Sequence, residues 1–356
     1  SERSGQSSQN SGKYTEDHLR NESAKLMDMI QEGKVLTNVM TKSGSKLLQY
    51  CIPRVNQDIL DKIFLQLSEN IFLVIKNPYG NFVFQKMIEN LDSEKRVQVW
   101  ELIQSSIFFL CTHTLGNRSI QTLISKADNP GERKLILQHL NPYINNLSFN
   151  KFGCFVLEEL LMSIPEEENE QLLSYMHSHI IDLLTDENGV CLFKKFVEFC
   201  LKRDSDQKVM ICKVISKNLN LIFRDKYGHY GLIYLAEVWG IEASQIIVES
   251  LLKNISVYGM LSYSHKFLRK VYYLGDEKYR EYLVKSMEKR ITNFNKFLSY
   301  KVGSKTFKLV LVFYKESLTQ EDYGKYFDGL ISNEETSKSS AKILRELNSL
   351  ILRNEE

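Results

Sequence analysis

Two pairs of side-chain amides, each spaced four residues apart, are the groups in this sequence best suited to recognising another molecule. The pairs are Asn81 with Gln85 and Asn117 with Gln121. Residues four apart lie one turn apart on a helix and point the same way. Because an amide offers both hydrogen-bond donors and acceptors, such a pair suits the edge of a nucleic-acid base.

A planar side chain follows the first amide of each pair. It is Phe82 in the first pair and Arg118 in the second. A ring or a guanidinium plane gives a base a surface on which to stack, at about 1–3 kcal/mol per base. An amide pair with a planar residue at the same offset in successive repeats favours base binding. Polar residues that were merely exposed to solvent would not be expected to recur in this fixed arrangement.

Both pairs belong to a repeat that spans most of the chain. Copies of the segment NPYGNFVFQKMIE at 77–89 recur every 36 to 39 residues, and glycine precedes the aligned residue in seven of eight copies. A glycine at this point predicts a sharp turn into each helix. The aligned residue, here called the first position, is in turn Ser45, Asn81, Asn117, Cys154, Val190, His229, His265 and Ser304.

The elements that must carry these residues follow from the apolar pattern. The third, fourth, seventh and eighth positions of each copy are apolar apart from Ser119, Gly231 and Thr306, which predicts one buried face of a helix. Amphipathic segments between the copies, such as 58–67 and 133–140, predict two or three helices in each unit. Such units bury their faces by stacking, so we expect an α-solenoid with repeat helices starting near the aligned positions.

The two ends of the chain lack the repeat. Residues 1–14 predict a polar, disordered tail, and the segments 16–40 and 317–353 predict helical caps on a single domain from 15 to 356. The last segment carries an amphipathic helix, for which a partner or dimer surface is the alternative to capping.

The charge of the whole chain argues against indiscriminate binding to polyanions. Lys plus Arg number 46 and Asp plus Glu number 44, a net charge of +2, whereas such binding needs a clear basic excess. The first, second and fifth positions of the eight copies nevertheless carry seven basic residues and one acidic residue, Glu158. We therefore expect a basic face on a slightly acidic body.

Composition and motifs exclude several other function classes. The six cysteines form no C-x-x-C pair, which favours reduced thiols in a cytosolic or nuclear protein. No apolar run approaches the about 18 residues that a membrane span needs. The sequence has no G-x-G-x-x-G, phosphate-loop, H-E-x-x-H or G-x-S-x-G signature, so we expect no catalytic residues, no metal site and no cofactor.

The motifs GNFVFQ at 80–85 and GNRSIQ at 116–121 make the chain resemble the PUF, or Pumilio-homology, family of RNA-binding proteins. The resemblance covers nearly the whole chain. It implies an all-α fold, a right-handed α-solenoid crescent of about eight three-helix Pumilio repeats with helical caps at both ends. It also implies that the concave face binds single-stranded RNA, one base per repeat, with the strand antiparallel to the protein.

Position by position, the resemblance implies three sets of site residues. Contacts with base edges fall on Ser45, Gln49, Asn81, Gln85, Asn117, Gln121, Cys154, Glu158 and His229. Stacking on bases falls on Lys46, Phe82, Arg118, Phe155 and Tyr230. Weaker contacts with RNA phosphates fall on Lys194, His265, Lys266, Arg269, Ser304, Lys305 and Lys308.

The first four repeats also imply a preferred RNA core. Ser45 with Gln49 resembles an adenine reader, and both Asn–Gln pairs resemble uracil readers. Cys154 suggests adenine whereas Glu158 suggests guanine, so the implied core is 5′-(G/A)-U-U-A-3′. The later repeats depart from the family's pairs, which makes the chain similar to the divergent fungal branch of the family.

The resemblance further implies binding to U/A-rich motifs in mRNA 3′ untranslated regions, with repression or decay of those mRNAs in the cytoplasm. Three or four read bases discriminate weakly, so the expected partners include a second protomer on clustered motifs, or another RNA-binding module, besides mRNA decay or repression factors. Two alternatives remain open. One is a helical-repeat protein-interaction scaffold without base-specific binding, and the other is a binder of structured RNA, for which a strongly basic body would be expected.

Overall fold

The computed structural model describes residues 20–201, 205–291, 297 and 301–314, and every regular element within these ranges is a helix. The expected all-α fold is confirmed. Each of the first seven repeats begins with a short helix, continues with the helix that carries the repeated motif, and ends with a helix longer than the first, and of the eighth repeat the structure describes the motif helix. We call these the short, motif and long helices.

The helices follow this order along the chain. The short helices are Val35–Val39, Ile71–Lys76, Ile107–Thr112, Ile144–Ser148, Ile180–Leu184, Leu219–Arg224 and Ile255–Tyr258. The motif helices are Lys42–Cys51, Gly80–Ile88, Gly116–Ser125, Gly153–Ser163, Gly189–Cys200, the first part of Gly228–Lys253, Ser264–Leu274 and Lys301–Tyr314. The long helices are Gln57–Ser68, Ser93–Ile103, Pro130–Leu140, Glu170–Ser178, Ser205–Lys217, the second part of Gly228–Lys253 and Glu277–Arg290. Single 3₁₀ turns lie at Ile52–Arg54, Gln104–Ser106 and Asn141–Tyr143.

Several long helices start at a polar residue that caps their first turn. Asp92 accepts a hydrogen bond from the backbone N–H of Lys95 at 2.8 Å, and Asn129 accepts one from that of Glu132 at 2.9 Å. An Asp or Asn at this point satisfies an N–H that has no partner inside the helix. These caps therefore fix the residue at which each of these long helices begins.

The predicted apolar stripe of the motif helices forms the core. In the second repeat Val83, Phe84, Met87 and Ile88 are fully buried. Across the copies, the described stripe residues are buried apart from the half-buried Leu47. Burying an apolar side chain of this size contributes about 1.5–3 kcal/mol, so stacking of these stripes is the main force that holds successive repeats together.

The repeat glycines serve close packing, and the predicted turn into the helix is made by the residues just before Gly80 and Gly116. Within the described residues, positive φ angles occur only at Gly33 and Gly240. The motif helices of the second and third repeats begin at the glycine itself, Gly80 and Gly116. A Cβ on Gly80 would lie 2.7 Å from the carbonyl oxygen of Val74, so glycine lets the motif helix rest directly on the end of its short helix.

One long span joins the sixth motif helix to its long helix. Gly240 interrupts Gly228–Lys253 with a φ of 79° and a ψ of 177°, a conformation that glycine adopts without strain. Among the described residues this span is the one candidate that is long and apolar enough to cross a membrane. In the structure it serves as two repeat helices, with apolar side chains such as Leu232 and Leu251 fully buried.

Contacts divide the chain into two compact units, with the boundary between Ser174 and Tyr175. The N-terminal unit contains the first four motif helices, and the C-terminal unit contains the last four. The single domain expected over 15–356 stays a prediction. The cap predicted for 16–40 is too long, because Val35–Val39 is the short helix of the first repeat and packs on Lys42–Cys51. Residues 20–31 form a helix before it. The tail at 1–14 and the cap at 317–353 lie outside the described residues.

Candidate nucleic-acid interface

A polar residue four positions before the first position anchors the start of most motif helices. Asn77 Oδ1 accepts hydrogen bonds from the backbone N–H groups of Tyr79 and Gly80 at 2.8 and 2.9 Å. His113 Nδ1 accepts two at 3.2 Å in the next repeat. Asn150, Asp186 and Asp225 make the same pair of bonds.

These anchoring side chains were missed in the sequence, although Asn, Asp or His recurs at that offset in five successive copies. Each one satisfies backbone N–H groups that have no partner inside the motif helix. The anchors therefore fix the angle at which each motif helix leaves its loop, and with it the direction of the side chains at the first and fifth positions.

The two predicted amide pairs are joined by hydrogen bonds. Gln85 Nε2 donates to Asn81 Oδ1 at 3.1 Å, and Gln121 Nε2 donates to Asn117 Oδ1 at 2.9 Å. Each asparagine is buried and donates from Nδ2 to two backbone carbonyls, which for Asn117 are those of His113 and Thr114. The asparagine thus sets the rotamer of the glutamine, and both repeats present a half-buried amide, which in the second repeat is held further by a bond from Gln85 Nε2 to the Asn81 carbonyl at 3.2 Å.

The first and fourth repeats vary this arrangement. Ser45 is buried, accepts from Gln49 Nε2 at 2.9 Å and donates to the carbonyl of Tyr79 at 2.9 Å, so it bridges to the second repeat. Cys154 is buried as well, and its Sγ lies 3.6 Å from the carbonyl oxygen of Lys151. Glu158 is half-buried one turn further along the same helix.

The second position of the motif helix carries an exposed plane in several repeats. Phe82 is 53% exposed, Phe155 is 37% exposed and Tyr230 is 49% exposed. Large apolar side chains cost free energy when they face water, so three rings exposed at one offset indicate a surface kept for contact. In the N-terminal unit the Arg118 guanidinium lies over the Phe155 ring, 6.0 Å from its centroid, so the second positions of neighbouring repeats are close together.

The fifth repeat lacks a polar pair. Val190 is buried, and Lys194 Nζ lies 5.6 Å from the ring centroid of Tyr234. In the eighth repeat Lys305 is exposed and Lys308 is half-buried, and the Ser304 side chain lies outside the described residues. Lysines here can meet phosphates but offer no pattern of donors and acceptors for a base edge.

The sixth and seventh repeats meet in a compact cluster around His229. Its ring stacks on Tyr263, with 4.7 Å between centroids and 3° between planes, and its other neighbour is Tyr230 at 4.0 Å. Lys266 Nζ lies 3.2 Å from His229 Nε2. His229 is buried like the first-position residues Asn81 and Asn117, but its neighbours are two rings and an ammonium group where theirs is a glutamine.

Both histidines of this region are held neutral. Burial lowers the pKa of His229 to about 4, with Lys266 and His265 adding repulsion. Burial and the cations Lys305, Lys266 and Arg269 lower the pKa of His265 to about 4. In this part of the C-terminal unit, permanent Lys and Arg charges therefore surround two uncharged imidazoles.

Comparisons with known proteins agree with the repeat. A family model described as "Pumilio-family RNA binding repeat" matches residues 70–103, 106–140 and 143–177. Pumilio homolog 12 of Arabidopsis thaliana is 24% identical over 258 residues, which cover 72% of this chain and 43% of that protein. Suppressor protein MPT5 of Saccharomyces cerevisiae is 22% identical over 209 residues, which cover 55% and 24%. The chain thus spans less than half the length of these curated relatives.

Solved structures show the same fold. The Puf4 RNA binding domain bound to a 3′ UTR recognition sequence superposes with a TM-score of 0.71 at 17% identity, covering 86% of this chain and 96% of that one. PUF-6 in complex with 5BE13 RNA superposes with a TM-score of 0.75 at 15% identity, covering 92% and 99%. At these low identities the similarity shows a shared helical fold.

Proposed function

Because the chain carries Pumilio-family repeats and has the fold of Puf RNA-binding domains, we propose that it binds single-stranded RNA by sequence through its motif helices. The N-terminal unit reads bases and the C-terminal unit holds the strand chiefly through its phosphates. The bound RNA is a U/A-rich element of mRNA 3′ untranslated regions, and binding leads to repression or decay of the mRNA in the cytoplasm.

One observation carries this proposal. Gln85 and Gln121 are held by the same hydrogen bond to an asparagine one turn away, each beside an exposed plane. With Nε2 bonded to the asparagine, each glutamine presents its acceptor oxygen Oε1. Gln121 has a second N–H beside it, whereas Gln85 Nε2 also donates to the backbone carbonyl of Asn81 at 3.2 Å. That pattern complements uracil, whose edge offers N–H between two carbonyl oxygens, while Phe82 supports the base from its face.

The remaining N-terminal repeats give the proposed core 5′-(G/A)-U-U-A-3′. Gln49, held by Ser45, belongs to the repeat proposed to read adenine. Glu158 presents carboxylate oxygens, which favour the N–H groups of guanine over adenine, whereas Cys154 favours adenine. The RNA polarity follows the Pumilio pattern, so the first repeat meets the 3′ end of the core.

The C-terminal unit departs from base recognition. Lys194, Lys266, Arg269, Lys305 and Lys308 offer charge without a donor–acceptor pattern, so we assign them to phosphates, with His265 and Ser304 beside them. Four read bases at about 1–3 kcal/mol each discriminate weakly among mRNAs. Binding of a second protomer to clustered motifs would supply the missing affinity, and decay or repression factors would be recruited by the bound protein.

A specificity swap tests base reading directly. The double change Asn81→Ser with Gln85→Glu replaces a pair proposed for uracil by one suited to guanine. We expect preference at one RNA position to move from U toward G by about 1–3 kcal/mol, measured by filter binding to RNAs that differ at that position. The control is Gln138→Glu, the same charge change at an exposed site on a long helix. An equal loss for all RNAs would show that this repeat does not read a base.

A protein-interaction scaffold is the competing function. It predicts the same buried stripe but no preference among oligonucleotides. Equal binding of the chain to U/A-rich and C-rich RNA at matched length and salt would favour the scaffold, whereas tighter binding to the U/A-rich strand favours the proposed function.

A further inference from the structure

The cluster in the sixth and seventh repeats holds a lysine in an unusual way. The Lys266 ammonium lies 3.2 Å from His229 Nε2 and 5.0 and 5.6 Å from the ring centroids of Tyr263 and Tyr230. An ammonium only donates, so His229 Nε2 accepts and the imidazole proton is on Nδ1. Lys266 is therefore held by neutral groups alone.

The cations next to Lys266 also lack a carboxylate partner in the described structure. Within the part of the chain that the structure describes, Lys266, Arg269 and Lys305 make no ion pair, whereas Lys270 on the same helix pairs with Glu237. Asp225 is a carboxylate that acts on His229, and its Oδ1 accepts hydrogen bonds from two backbone N–H groups. Cations without carboxylates create a field that attracts an anion.

The two histidines are poised to gain a proton there. His229 Nδ1 and His265 Nδ1 are both buried without a hydrogen-bond partner in the described structure. Lys266, His265 and Asp225 face His229, and Lys305, Lys266 and Arg269 face His265. Burial and, after it, the cationic neighbours keep these imidazoles neutral, and an added negative charge opposes that preference.

We propose that an RNA phosphodiester binds among Lys266, Arg269 and Lys305, and that its binding is coupled to proton uptake by His265 and His229. This inference rests on the proposed function, since the phosphate belongs to the strand read by the N-terminal unit. The phosphate draws the Lys266 ammonium away from His229 Nε2, and that nitrogen then accepts a proton from the solvent. His265 gains its proton from the same source, because the phosphate offsets the three surrounding cations.

The coupling has a definite sign. Free His229 and His265 have pKa values of about 4, and a bound phosphate moves them back toward their ordinary value. RNA binding then takes up protons between these values, so the affinity rises as the pH falls from about 8 to about 5.5. If one histidine regains a pKa of about 6.5, the gain over that interval is about tenfold.

The experiment separates phosphates from bases. One RNA is the core 5′-GUUA-3′ alone, and a second carries the same core behind a 5′ run of about five abasic ribonucleotides, which add phosphates without bases. At low salt we expect the extension to strengthen binding by on the order of tenfold. The affinity of each RNA is measured at about pH 8 and about pH 5.5 at constant ionic strength, and only the contribution of the extension should grow at low pH, by about tenfold.

Variants assign the effect to the cluster. We expect the triple change Lys266→Gln, Arg269→Gln and Lys305→Gln to remove the gain from the extension, while Lys270→Gln, which alters a lysine paired with Glu237, retains it. His265→Gln should flatten the pH dependence, and His139→Gln on a long helix should leave it unchanged.

The outcomes are distinguishable. An extension that adds no affinity overturns the phosphate site, and an extension whose contribution is the same at both pH values overturns the proton coupling. Wild-type protein alone gives both results, so they do not depend on whether a variant folds. If the extended core RNA bound no more tightly than an equally extended C-rich RNA, the proposed function would be overturned instead, and the inference with it.

Discussion

Gln121 Nε2 donates a hydrogen bond to Oδ1 of Asn117 at 2.9 Å, and this single contact fixes which amide atoms the third repeat presents. Asn117 cannot rotate without losing its own bonds to two backbone carbonyls. The orientation of the glutamine is therefore inherited from the start of the motif helix. The proposed recognition in this repeat therefore depends on a buried residue that positions a more exposed one.

Replacing Gln121 with Met should remove base recognition and keep the fold. Methionine has a similar size but cannot offer a donor and an acceptor. We expect affinity for the U/A-rich RNA to fall by about 1–3 kcal/mol and discrimination at one uracil to disappear, measured by filter binding. The matched control is Gln138→Met, which changes an exposed glutamine on the long helix of the same repeat. Unchanged discrimination in Gln121→Met would contradict a reading role.

Truncating Phe82 to Ala should weaken RNA binding much more than it weakens folding. The ring is 53% exposed, so little core packing is lost, whereas a stacked base contributes about 1–3 kcal/mol. Phe109→Ala is the control, because that ring is 47% exposed on a short helix away from the second position. Isothermal titration and thermal unfolding of both variants test the expectation, and equal losses of affinity in the two would refute stacking on Phe82.

Arg96 and Glu132 predict a stability effect between neighbouring long helices. Arg96 bonds through Nε and Nη2 to both carboxylate oxygens of Glu132, which is fully buried. Arg96→Met leaves that carboxylate without its partner in the core, and we expect a loss of about 3–5 kcal/mol in the free energy of unfolding.

Urea unfolding measures this loss, with Arg133→Met as the control. Arg133 makes a similar two-bond contact with Glu168, but both partners are partly exposed. We expect a loss of about 1 kcal/mol there. The double variant Arg96→Met with Glu132→Leu should recover most of the lost stability, and its failure to do so would show that packing rather than the stranded charge sets the cost.

The free protein should lose stability in mild acid because of His229 and His265. Their folded pKa values of about 4 lie below that of an unfolded histidine. Between about pH 6.5 and pH 4 the unfolded chain binds more protons, so the stability present at neutral pH is lost as the pH falls. The loss approaches about 3 kcal/mol for each histidine at the lower end.

Urea unfolding at several pH values tests this dependence. We expect His265→Gln to reduce the slope of stability against pH relative to the wild type, while His139→Gln keeps the wild-type slope. Equal slopes in all three proteins would mean that His265 is protonated as readily in the folded chain as in the unfolded one.

Much of the local structure could be predicted from residue spacing. The stripe that includes Val83, Phe84 and Met87 identified the buried face of a helix, because apolar residues spaced three and four apart lie on one side of a helix. The offset between Asn117 and Gln121 placed them on one turn for the same reason. The sequence located the glycines, but the atom that excludes a side chain at Gly80, the carbonyl oxygen of Val74, depends on how two helices pack.

The sequence by itself determined an all-helical repeat, its core stripe and the paired amides, because each depends on neighbours within one or two helical turns. Tertiary structure alone decided that Lys266, His229 and Tyr263 share one cluster, that Glu132 neutralises Arg96, and that the chain divides between Ser174 and Tyr175. Those relations join different helices, and the distance between two helices is set by how side chains fill the space between them.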